Sequence, residues 1–261
     1  MAEMLPQQRR RHILDELNKY GQVRVTELSH ELGISEMTVR RDLNALAAAG
    51  ELVKVHGGAT REQSATSIEP GFTRKLGLAA PEKEALALRA AELIEPGMSV
   101  ALNSGTTTYA LAGHCTGIAD LTVVTNSPRI AEVFYSADNP SQSVILIGGI
   151  RTPSDALVGP LATAALAQLH VDICFMGIHG MTAEDGFTTP NMLEAQANQA
   201  FMSAAAELVV VADHSKWGIT GLCQIAELGT ADVLITGDNL SPEAVDILGQ
   251  SIETLLLAPT A

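Results

Sequence analysis

From residue 81 onwards, apolar runs alternate with helix-like runs, and this alternation restricts the possible folds more than any other feature of the chain. The runs predicted as strands span residues 99–102, 121–125, 143–147, 171–176, 208–212 and 233–236. Helices are predicted from Pro81 to just before Pro96, and over residues 107–112, 128–135, 160–169 and 193–206. Strands that are apolar on both faces and alternate with helices form a mostly parallel sheet with helices on both sides. We therefore predict an α/β fold for this region.

The composition predicts a large aliphatic core. Of the 261 residues, 46% are hydrophobic and 3% are aromatic, so Ala, Val, Leu and Ile must supply most of the buried surface. No apolar run approaches the roughly 18 residues of a membrane span, and no signal-peptide core follows the first charged residues. The three cysteines form no CxxC pair. We expect a cytoplasmic protein of about two domains, with reduced thiols and no membrane contact.

The charge is distributed unevenly along the chain. The formal net charge is −14, yet residues 1–60 contain eight basic and eight acidic residues, so the whole excess of negative charge lies beyond residue 60. An acidic body repels DNA unless a separate, less acidic module faces the phosphates. The N-terminal sixty residues are therefore the candidate for such a module.

These residues have the pattern of a helix-turn-helix. An amphipathic run that ends near Tyr20 is followed by a second predicted helix over residues 26–32 and by a turn at Gly33. Ser35 is placed to cap a third helix, which is predicted from residue 36 to about residue 48.

The third helix has an apolar and a polar face. At 100° per residue, Val39, Leu43 and Leu46 point to the core, and the opposite face suits the DNA major groove. The alternating run over residues 52–56, which ends before two glycines, is predicted to form a β-hairpin wing close to a DNA phosphate. The residues predicted to contact double-stranded operator DNA are Ser35, Met37, Thr38, Arg40, Arg41, Asn44, Lys54 and His56.

Arg40 and Arg41 also fit a simpler interpretation, an ordinary solvated helix face. The turn and cap before the helix and the wing after it favour DNA binding. We predict a winged helix-turn-helix domain over residues 1–60, a polar linker over residues 61–80, and an α/β domain over residues 81–261, whose effector-binding residues are given next.

The loop after the first strand of the α/β region is predicted to bind an anion. Residues 103–108 contain one glycine and several hydroxyls, and they lead directly into a helix. Hydroxyls and free backbone N–H groups at a helix N-terminus bind anions, and ligands of parallel sheets bind at the carboxyl ends of the strands. The predicted effector residues at these ends are Asn103, Ser104, Gly105, Thr106, Thr107, Asn126, Gly149, Arg151, His179, Glu194 and Lys216.

Lys216 and Arg151 are expected to neutralise a phosphate, and Asn126, Asp213 and Glu194 to hydrogen-bond sugar hydroxyls. Each motif alone also fits a plain strand–helix turn, but their shared position at strand ends favours a ligand site. The sequence contains neither a P-loop nor a GxGxxG motif, which argues against a nucleotide ligand.

A metal site remains an alternative at two of the strand ends. His179 and His214 both follow strands and, with Glu194 or Asp213, have the chemistry of metal ligands. Polar contacts beside a pocket are the simpler interpretation. No metal, cofactor or catalytic residue is predicted, and Ser104 lacks the elbow motif of a hydrolase.

Several motifs together resemble the DeoR family of bacterial transcription regulators. In the N-terminal region they are Val-Thr-Glu-Leu (25–28), Leu-Gly-Ile-Ser (32–35), Thr-Val-Arg-Arg-Asp-Leu (38–43) and Val-His-Gly-Gly-Ala (55–59). In the α/β region they are Asn-Ser-Gly-Thr-Thr (103–107), Thr-Val-Val-Thr-Asn-Ser (122–127), Leu-Ile-Gly-Gly (146–149), Leu-Val-Gly-Pro (157–160), Gly-Phe-Thr-Thr-Pro-Asn (186–191), Glu194 and Ala-Asp-His-Ser-Lys-Trp-Gly (212–218).

The resemblance implies a regulator whose helix over residues 38–43 reads the operator. It also implies an effector domain that is similar in fold to ribose-5-phosphate isomerase and senses phosphorylated sugars. In that case residues 104–107 and Lys216 hold the phosphate, and Asn126 and Glu194 contact the sugar. A repressor of carbohydrate genes that binds its operator as a homodimer or homotetramer is expected.

The sequence departs from the family pattern at three carboxylates. Asn103, His179 and Gly237 stand where the family usually has Asp, which predicts a changed effector preference. An isomerase-like enzyme fused to a DNA-binding head is the alternative function. The missing carboxylates argue against it, because sugar-phosphate isomerisation needs a positioned base.

Overall fold

A computed structural model describes residues 5–20, 22–49, 51–55, 57–60 and 71–259 of the chain. The chain divides into two compact units, residues 1–65 and residues 66–261. No helix among the described residues combines the length and the apolar character needed to cross a membrane.

The N-terminal unit has three helices and a small antiparallel sheet. In chain order, its elements are α1 (Pro6–Tyr20), β1 (Gln22–Arg24), α2 (Val25–Leu32), α3 (Glu36–Ala48), β2 (Val53–Val55) and β3 (Gly58–Thr60). The strand order is β1-β3-β2. Strands β2 and β3, which follow α3 along the chain, pair antiparallel and form the predicted hairpin wing. The winged helix-turn-helix architecture is confirmed.

Two glycines permit this arrangement. Gly33 ends α2 in the left-handed region, with a φ of 63°, where a residue with a side chain is strained. Gly58 lies so close to β1 that a Cβ atom would collide with the Val23 carbonyl. Only glycine at residue 58 therefore allows the wing to pair with β1.

A buried ion pair joins α1 to α3 in this unit. The Asp42 carboxylate is 1% exposed, and it accepts hydrogen bonds from Arg9 Nε at 2.5 Å and Arg10 Nε at 3.2 Å. The surrounding core is aliphatic and includes Ile13, Val39 and Leu43. Asp42 thus lies on the buried face of α3, directly after the exposed Arg41.

The second unit is built on a seven-stranded parallel sheet. Its helices are α4 (Phe72–Leu76), α5 (Ala80–Ala91), α6 (Thr106–Cys115), α7 (Pro128–Ala137), α8 (Pro160–Leu166), α9 (Met192–Ala204) and α10 (Pro242–Ser251). Its strands are β4 (Ser99–Leu102), β5 (Thr122–Thr125), β6 (Ser143–Leu146), β7 (Ile150–Arg151), β8 (Leu157–Val158), β9 (Val171–Gly177), β10 (Gly180–Thr182), β11 (Gly186–Thr189), β12 (Ala205–Ala212), β13 (Cys223–Ala226), β14 (Val233–Gly237) and β15 (Thr254–Ala258).

The large sheet has the order β15-β14-β12-β9-β4-β5-β6, and each neighbouring pair is parallel. Alternate residues of β9 enter two separate cores, since Ile173 and Phe175 pack on one side of the sheet and Cys174 and Met176 on the other. Both faces are therefore covered, and the α/β prediction is confirmed.

The chain reverses its direction of growth between β4 and β9. From β4 it adds β5 and β6 on one side, and it then returns to place β9, β12, β14 and β15 on the other. In open parallel sheets, ligands bind in the crevice at such a switch point, beyond the carboxyl ends of the strands. Here those ends are Leu102, followed by Asn103, and Gly177.

Some elements differ from the prediction. The seventh strand, β15, and the antiparallel sheet β10-β11-β13 were not predicted. The helix predicted over residues 193–206 ends at Ala204, because the next residue pairs with Val171 as the start of β12. A short helix, α4, lies within the segment predicted as linker.

Candidate functional site

The outward face of α3 is an exposed polar surface. Met37 is 72% exposed, and the side chain of Arg40 is 57% exposed and pairs with Glu36 one turn earlier. Arg41 and Asn44 are also exposed. The geometry thus places on one accessible helix face the four residues that periodicity assigned to it.

Ser35 and Thr38 are engaged in starting this helix. The Thr38 backbone N–H donates to Ser35 Oγ at 3.2 Å, and the two hydroxyls lie 2.9 Å apart. An N-cap of this kind satisfies one of the open amides of the first turn. Both residues therefore position the N-terminal turn of α3.

The wing is connected to the same helix by a side-chain contact. Lys54 Nζ on β2 donates to Asn44 Oδ1 on α3 at 2.5 Å, and both residues are exposed. This contact makes one continuous polar surface of the helix and the hairpin. His56, the other residue predicted in the wing, lies outside the described residues.

In the second unit, a solvent-open cavity lies at the switch point of the sheet. Nine of the predicted effector residues line it, namely Asn103, Ser104, Gly105, Thr106, Thr107, Asn126, His179, Glu194 and Lys216. Gly177 and Ile178, which belong to the same strand end as His179, line it too. The structure also adds residues outside the predicted strand ends, namely Lys75, Ser154, Ala156, Thr189, Pro190 and Asn198.

The N-terminus of α6 opens into this cavity. Its N-cap is Gly105, which has no side chain to bond the first amides of the helix. Thr108 is turned back, since its hydroxyl donates to the carbonyls of Asn103 at 2.7 Å and Gly105 at 3.1 Å. The first turn therefore presents its amides and the Thr106 and Thr107 side chains to the cavity, and helix N-termini of this kind can bind anions.

Asn126 and Ser104 hold the loop in place. Asn126 Oδ1 accepts from the Ser104 backbone N–H at 2.9 Å, and Asn126 Nδ2 donates to the Leu157 carbonyl at 3.0 Å. Ser104 Oγ donates to the Ser154 carbonyl at 3.0 Å. Asn126 thus joins the ends of two strands, with both of its polar atoms engaged in the fold.

Asn103 spans the switch point itself. Its Nδ2 donates to the Gly177 carbonyl at 2.9 Å and to Asn198 Oδ1 at 3.0 Å, and its Oδ1 accepts from the Gly177 N–H at 2.8 Å. The side chain is 2% exposed. An amide matches this pattern of two acceptors and one donor, whereas a carboxylate does not.

We expect Asn103→Asp to destabilise the folded chain by roughly 1–3 kcal/mol, because a carboxylate would face the Gly177 carbonyl without a proton to share. Asn198 can turn its amide to donate, but the Gly177 carbonyl cannot adapt. The deficit should shrink as the pH falls, since a protonated carboxyl group regains a donor. Urea unfolding of the full chain measures it, with Gln168→Glu on the exposed surface as the amide-to-carboxylate control. Equal midpoints at neutral pH would contradict the role given to the Asn103 amide.

The cavity contains charges of both signs. Lys75 and Lys216 line it together with the Glu194 carboxylate. Glu194 accepts from Thr152 Oγ1 at 2.6 Å and from Thr189 Oγ1 at 3.4 Å, so its orientation is fixed. The arrangement offers cations for a phosphate and an acceptor for a hydroxyl group.

Lys216 is presented by a 3-10 turn, His214–Lys216, whose N-cap is the buried Asp213. Burial favours the neutral form of Asp213, but the charges of Lys216 and Lys83 outweigh burial and hold its pKa below the usual range. The ionised carboxylate accepts from the Ser215 N–H at 3.1 Å. Asp213 therefore positions the turn that carries Lys216.

Gly149 and Arg151 are not among the lining residues. Arg151 instead pairs with Asp155, with Nη2 to Oδ1 at 2.6 Å, and Arg129 bonds the other carboxylate oxygen. Burial raises the pKa of Asp155, and the two arginines more than reverse this, so its pKa lies below the ordinary value. These contacts fix the loop that supplies Ser154 to the cavity.

At Gly237, the third departure from the family pattern, the Glu82 carboxylate occupies the space beside the backbone. A Cβ atom at residue 237 would collide with the Glu82 carboxylate. Glu82 is buried and accepts from the His214 backbone N–H at 2.7 Å, and it bonds His214 Nδ1 at 2.5 Å. The glycine thus leaves room for a carboxylate from α5. Among the described residues, the group with metal-ligand geometry is His12, Glu16 and Glu31, which belongs to the N-terminal unit.

Of the added lining residues, Asn198 had a sequence signal. It lies one helical turn after Glu194 on α9, so both side chains point to the same side. Thr189 lies in the Gly-Phe-Thr-Thr-Pro-Asn motif (186–191). Neither Thr189 nor Ser154 follows a strand of the large sheet, so the strand-end pattern did not place them at the cavity.

The chain is similar to known proteins over nearly its whole length. Residues 9–65 match the DeoR-like helix-turn-helix domain, and residues 79–238 match the DeoR C terminal sensor domain. The chain is 35% identical over 242 residues to the HTH-type transcriptional regulator GolR of Listeria innocua, which covers 91% of this chain and 93% of that protein. It is 32% identical to a putative aga operon transcriptional repressor of Escherichia coli O157:H7, covering 96% of this chain and 93% of that protein.

Among solved structures, ribose 5-phosphate isomerase A from Methanocaldococcus jannaschii matches 52% of this chain and 53% of its own, at 17% identity and a TM-score of 0.38.

Proposed function

The chain belongs to the DeoR family of transcriptional regulators, and from this premise we propose that it is a repressor released from its operator by a phosphorylated sugar. The genes it controls are proposed to serve carbohydrate metabolism. The family assigns a regulator, so the alternative of an isomerase-like enzyme is not supported. The Asn103 amide is hydrogen-bonded to the backbone of Gly177, and an amide is unsuited to act as a catalytic base.

One observation carries the choice of effector. The open first turn of α6, two lysine side chains and the fixed Glu194 carboxylate converge on a single cavity. Helix N-terminal amides and lysines favour a phosphate group, and a carboxylate accepts hydrogen bonds from hydroxyl groups. A small polyol with one phosphate presents both groups, so a sugar phosphate fits this chemistry.

In this proposal, operator DNA binds the exposed face of α3 and the wing. Two or more copies of the chain bind together, since paired half-sites raise the affinity far above that of one head. The effector releases DNA because it binds the DNA-free arrangement more tightly than the DNA-bound one.

Binding is tested by thermal unfolding of the full chain with a panel of pentose and hexose phosphates, each beside its unphosphorylated sugar. At about a hundredfold excess over Kd, a bound sugar phosphate should raise the Tm by roughly 5–10 °C. Lys216→Met and Thr106→Val should each weaken binding by roughly 10-fold or more, since each removes a contact to a charged group.

The matched control is Thr116→Val at the other end of α6, where the hydroxyl donates to the Gly113 carbonyl and does not line the cavity. It should bind as the unmodified chain does. If no sugar phosphate shifts the Tm of the unmodified chain, or if the free sugars shift it equally, the proposed effector class is wrong.

A further inference from the structure

We propose that Lys75 is a second phosphate-binding cation, and that it couples occupancy of the cavity to the chain segment leading from the DNA-binding unit. The inference rests on the proposed function and names a regulatory contact within the same site. Lys75 lies on α4, outside the strand ends from which the effector residues were predicted. Its basis is the position of α4, the first described element after Thr60.

Lys75 lies in the cavity wall together with the loop of residues 103–107. Its Nζ donates to Ser154 Oγ at 3.0 Å, and Ser104 Oγ donates to the carbonyl of the same Ser154 at 3.0 Å. One residue therefore separates the Lys75 ammonium from the loop at the N-terminus of α6. A phosphate bound there occupies the cavity that Lys75 also lines.

The charge of the site also calls for a second cation. A phosphate monoester carries about −1.5 to −2 charges at neutral pH. Lys216 alone leaves part of this charge unbalanced, and the Glu194 carboxylate in the same cavity adds repulsion. Lys75 and Lys216 together match a dianion.

α4 is held by contacts that depend on the cavity walls. The Phe72 N–H donates to the Pro153 carbonyl at 3.2 Å, and the Phe72 ring packs edge-on against Tyr109 of α6. The Arg129 guanidinium lies 4.6 Å from the centre of the same ring. The short helix thus touches both α6 and the loop that contains Ser154, so a shift of either wall reaches it.

The other end of α4 is tied to the turn that carries Lys216. Lys83 Nζ donates to the carbonyls of Lys75 at 2.8 Å and Leu78 at 2.6 Å, and it lies 4.0 Å from Asp213 Oδ2. Burial lowers the pKa of Lys83 to about 8, with the Asp213 charge opposing the shift. Through Lys83 and Asp213, the two proposed phosphate-binding lysines belong to one connected structure.

The consequence is a direct route for the signal. A phosphate that draws Lys75 towards α6 fixes α4 against the cavity. Because α4 is the first described element after Thr60, occupancy of the cavity changes the order of the chain at the start of the second unit.

The test uses the full chain with inorganic phosphate and with the sugar phosphate that gives the largest thermal shift. Calorimetry should show Lys75→Met binding both probes roughly 10- to 100-fold more weakly, as expected for loss of a charged hydrogen bond, and Lys75→Arg close to the unmodified chain. The control Arg89→Gln removes a positive charge from the exposed surface of α5, where Arg89 pairs with Glu92.

Hydrogen exchange separates the coupling from the affinity. At saturating probe, the unmodified chain and Lys216→Met should both show slower exchange over residues 71–79 and 103–108. Lys75→Met should protect residues 103–108 only. If Lys75→Met binds as Arg89→Gln does, or protects residues 71–79 when saturated, the inference is wrong while the proposed function stands. If the unmodified chain binds neither probe, both fail.

Discussion

Replacing Arg40 and Arg41 together with alanine is expected to weaken operator binding by roughly two to four orders of magnitude. Each arginine contact to a base edge or a phosphate contributes about 1–3 kcal/mol. Both side chains are exposed, and Arg40 has only a surface ion pair with Glu36. The unit should therefore keep its fold, because exposed substitutions change stability by only about 0.5 kcal/mol.

The measurement is fluorescence anisotropy with an operator selected from random DNA by the unmodified chain. Arg24→Ala is the matched control, since Arg24 is an exposed arginine of the same unit that lies outside α3 and the wing. It should lose far less affinity. If the double variant binds within about threefold of this control, α3 does not lie in the groove, and net charge alone explains the binding.

Asp42→Ala is expected to unfold most of the N-terminal unit, at a cost of roughly 3–5 kcal/mol. The substitution removes the Asp42 carboxylate that pairs with the Arg9 guanidinium, whose side chain is 11% exposed. A unit of this size has little more stability than that to lose. Operator binding should be lost, while the thermal shift with a sugar phosphate remains.

The paired substitution Arg9→Met/Asp42→Leu removes both buried charges and should recover more than half of the lost stability, because Arg10 is exposed enough to turn to solvent. Hydrogen exchange over residues 6–48 of the full chain reports the stability of the unit. The exposed Asp15→Ala should leave exchange unchanged. Protection in Asp42→Ala equal to that of Asp15→Ala would show that the ion pair contributes little.

This ion pair illustrates how far sequence alone leads. The 3.6-residue period places Asp42 on the same side as Val39 and Leu46, so its burial follows from the pattern. Its partner does not, because Arg9 lies 33 residues away on another helix. The same 3.6-residue period that places Val39 and Leu46 in the core also identifies the exposed polar face on the outward side of α3.

The cavity shows the same division. Small and polar residues at strand ends were visible in the sequence, and many of them do meet. The strand order was not visible, so the switch point between β4 and β9 and the bridging role of Asn103 required the structure. Lys75 was not among the predicted effector residues, because α4 lies in a segment whose composition is that of a linker. By contrast, α10 starts with the same Ser-Pro signal as α7 and was predictable in principle.

The most direct test of the central claim is release of operator DNA by the bound sugar phosphate. Anisotropy of the operator complex is followed while the sugar phosphate with the largest thermal shift is added. For the unmodified chain we expect the operator Kd to rise roughly 5- to 150-fold, half of the change occurring near the Kd for the sugar phosphate. Lys216→Met should need at least roughly 10-fold more sugar phosphate to release the same fraction of the operator. An operator affinity that is unchanged or raised, while calorimetry shows the cavity filled, would contradict the account.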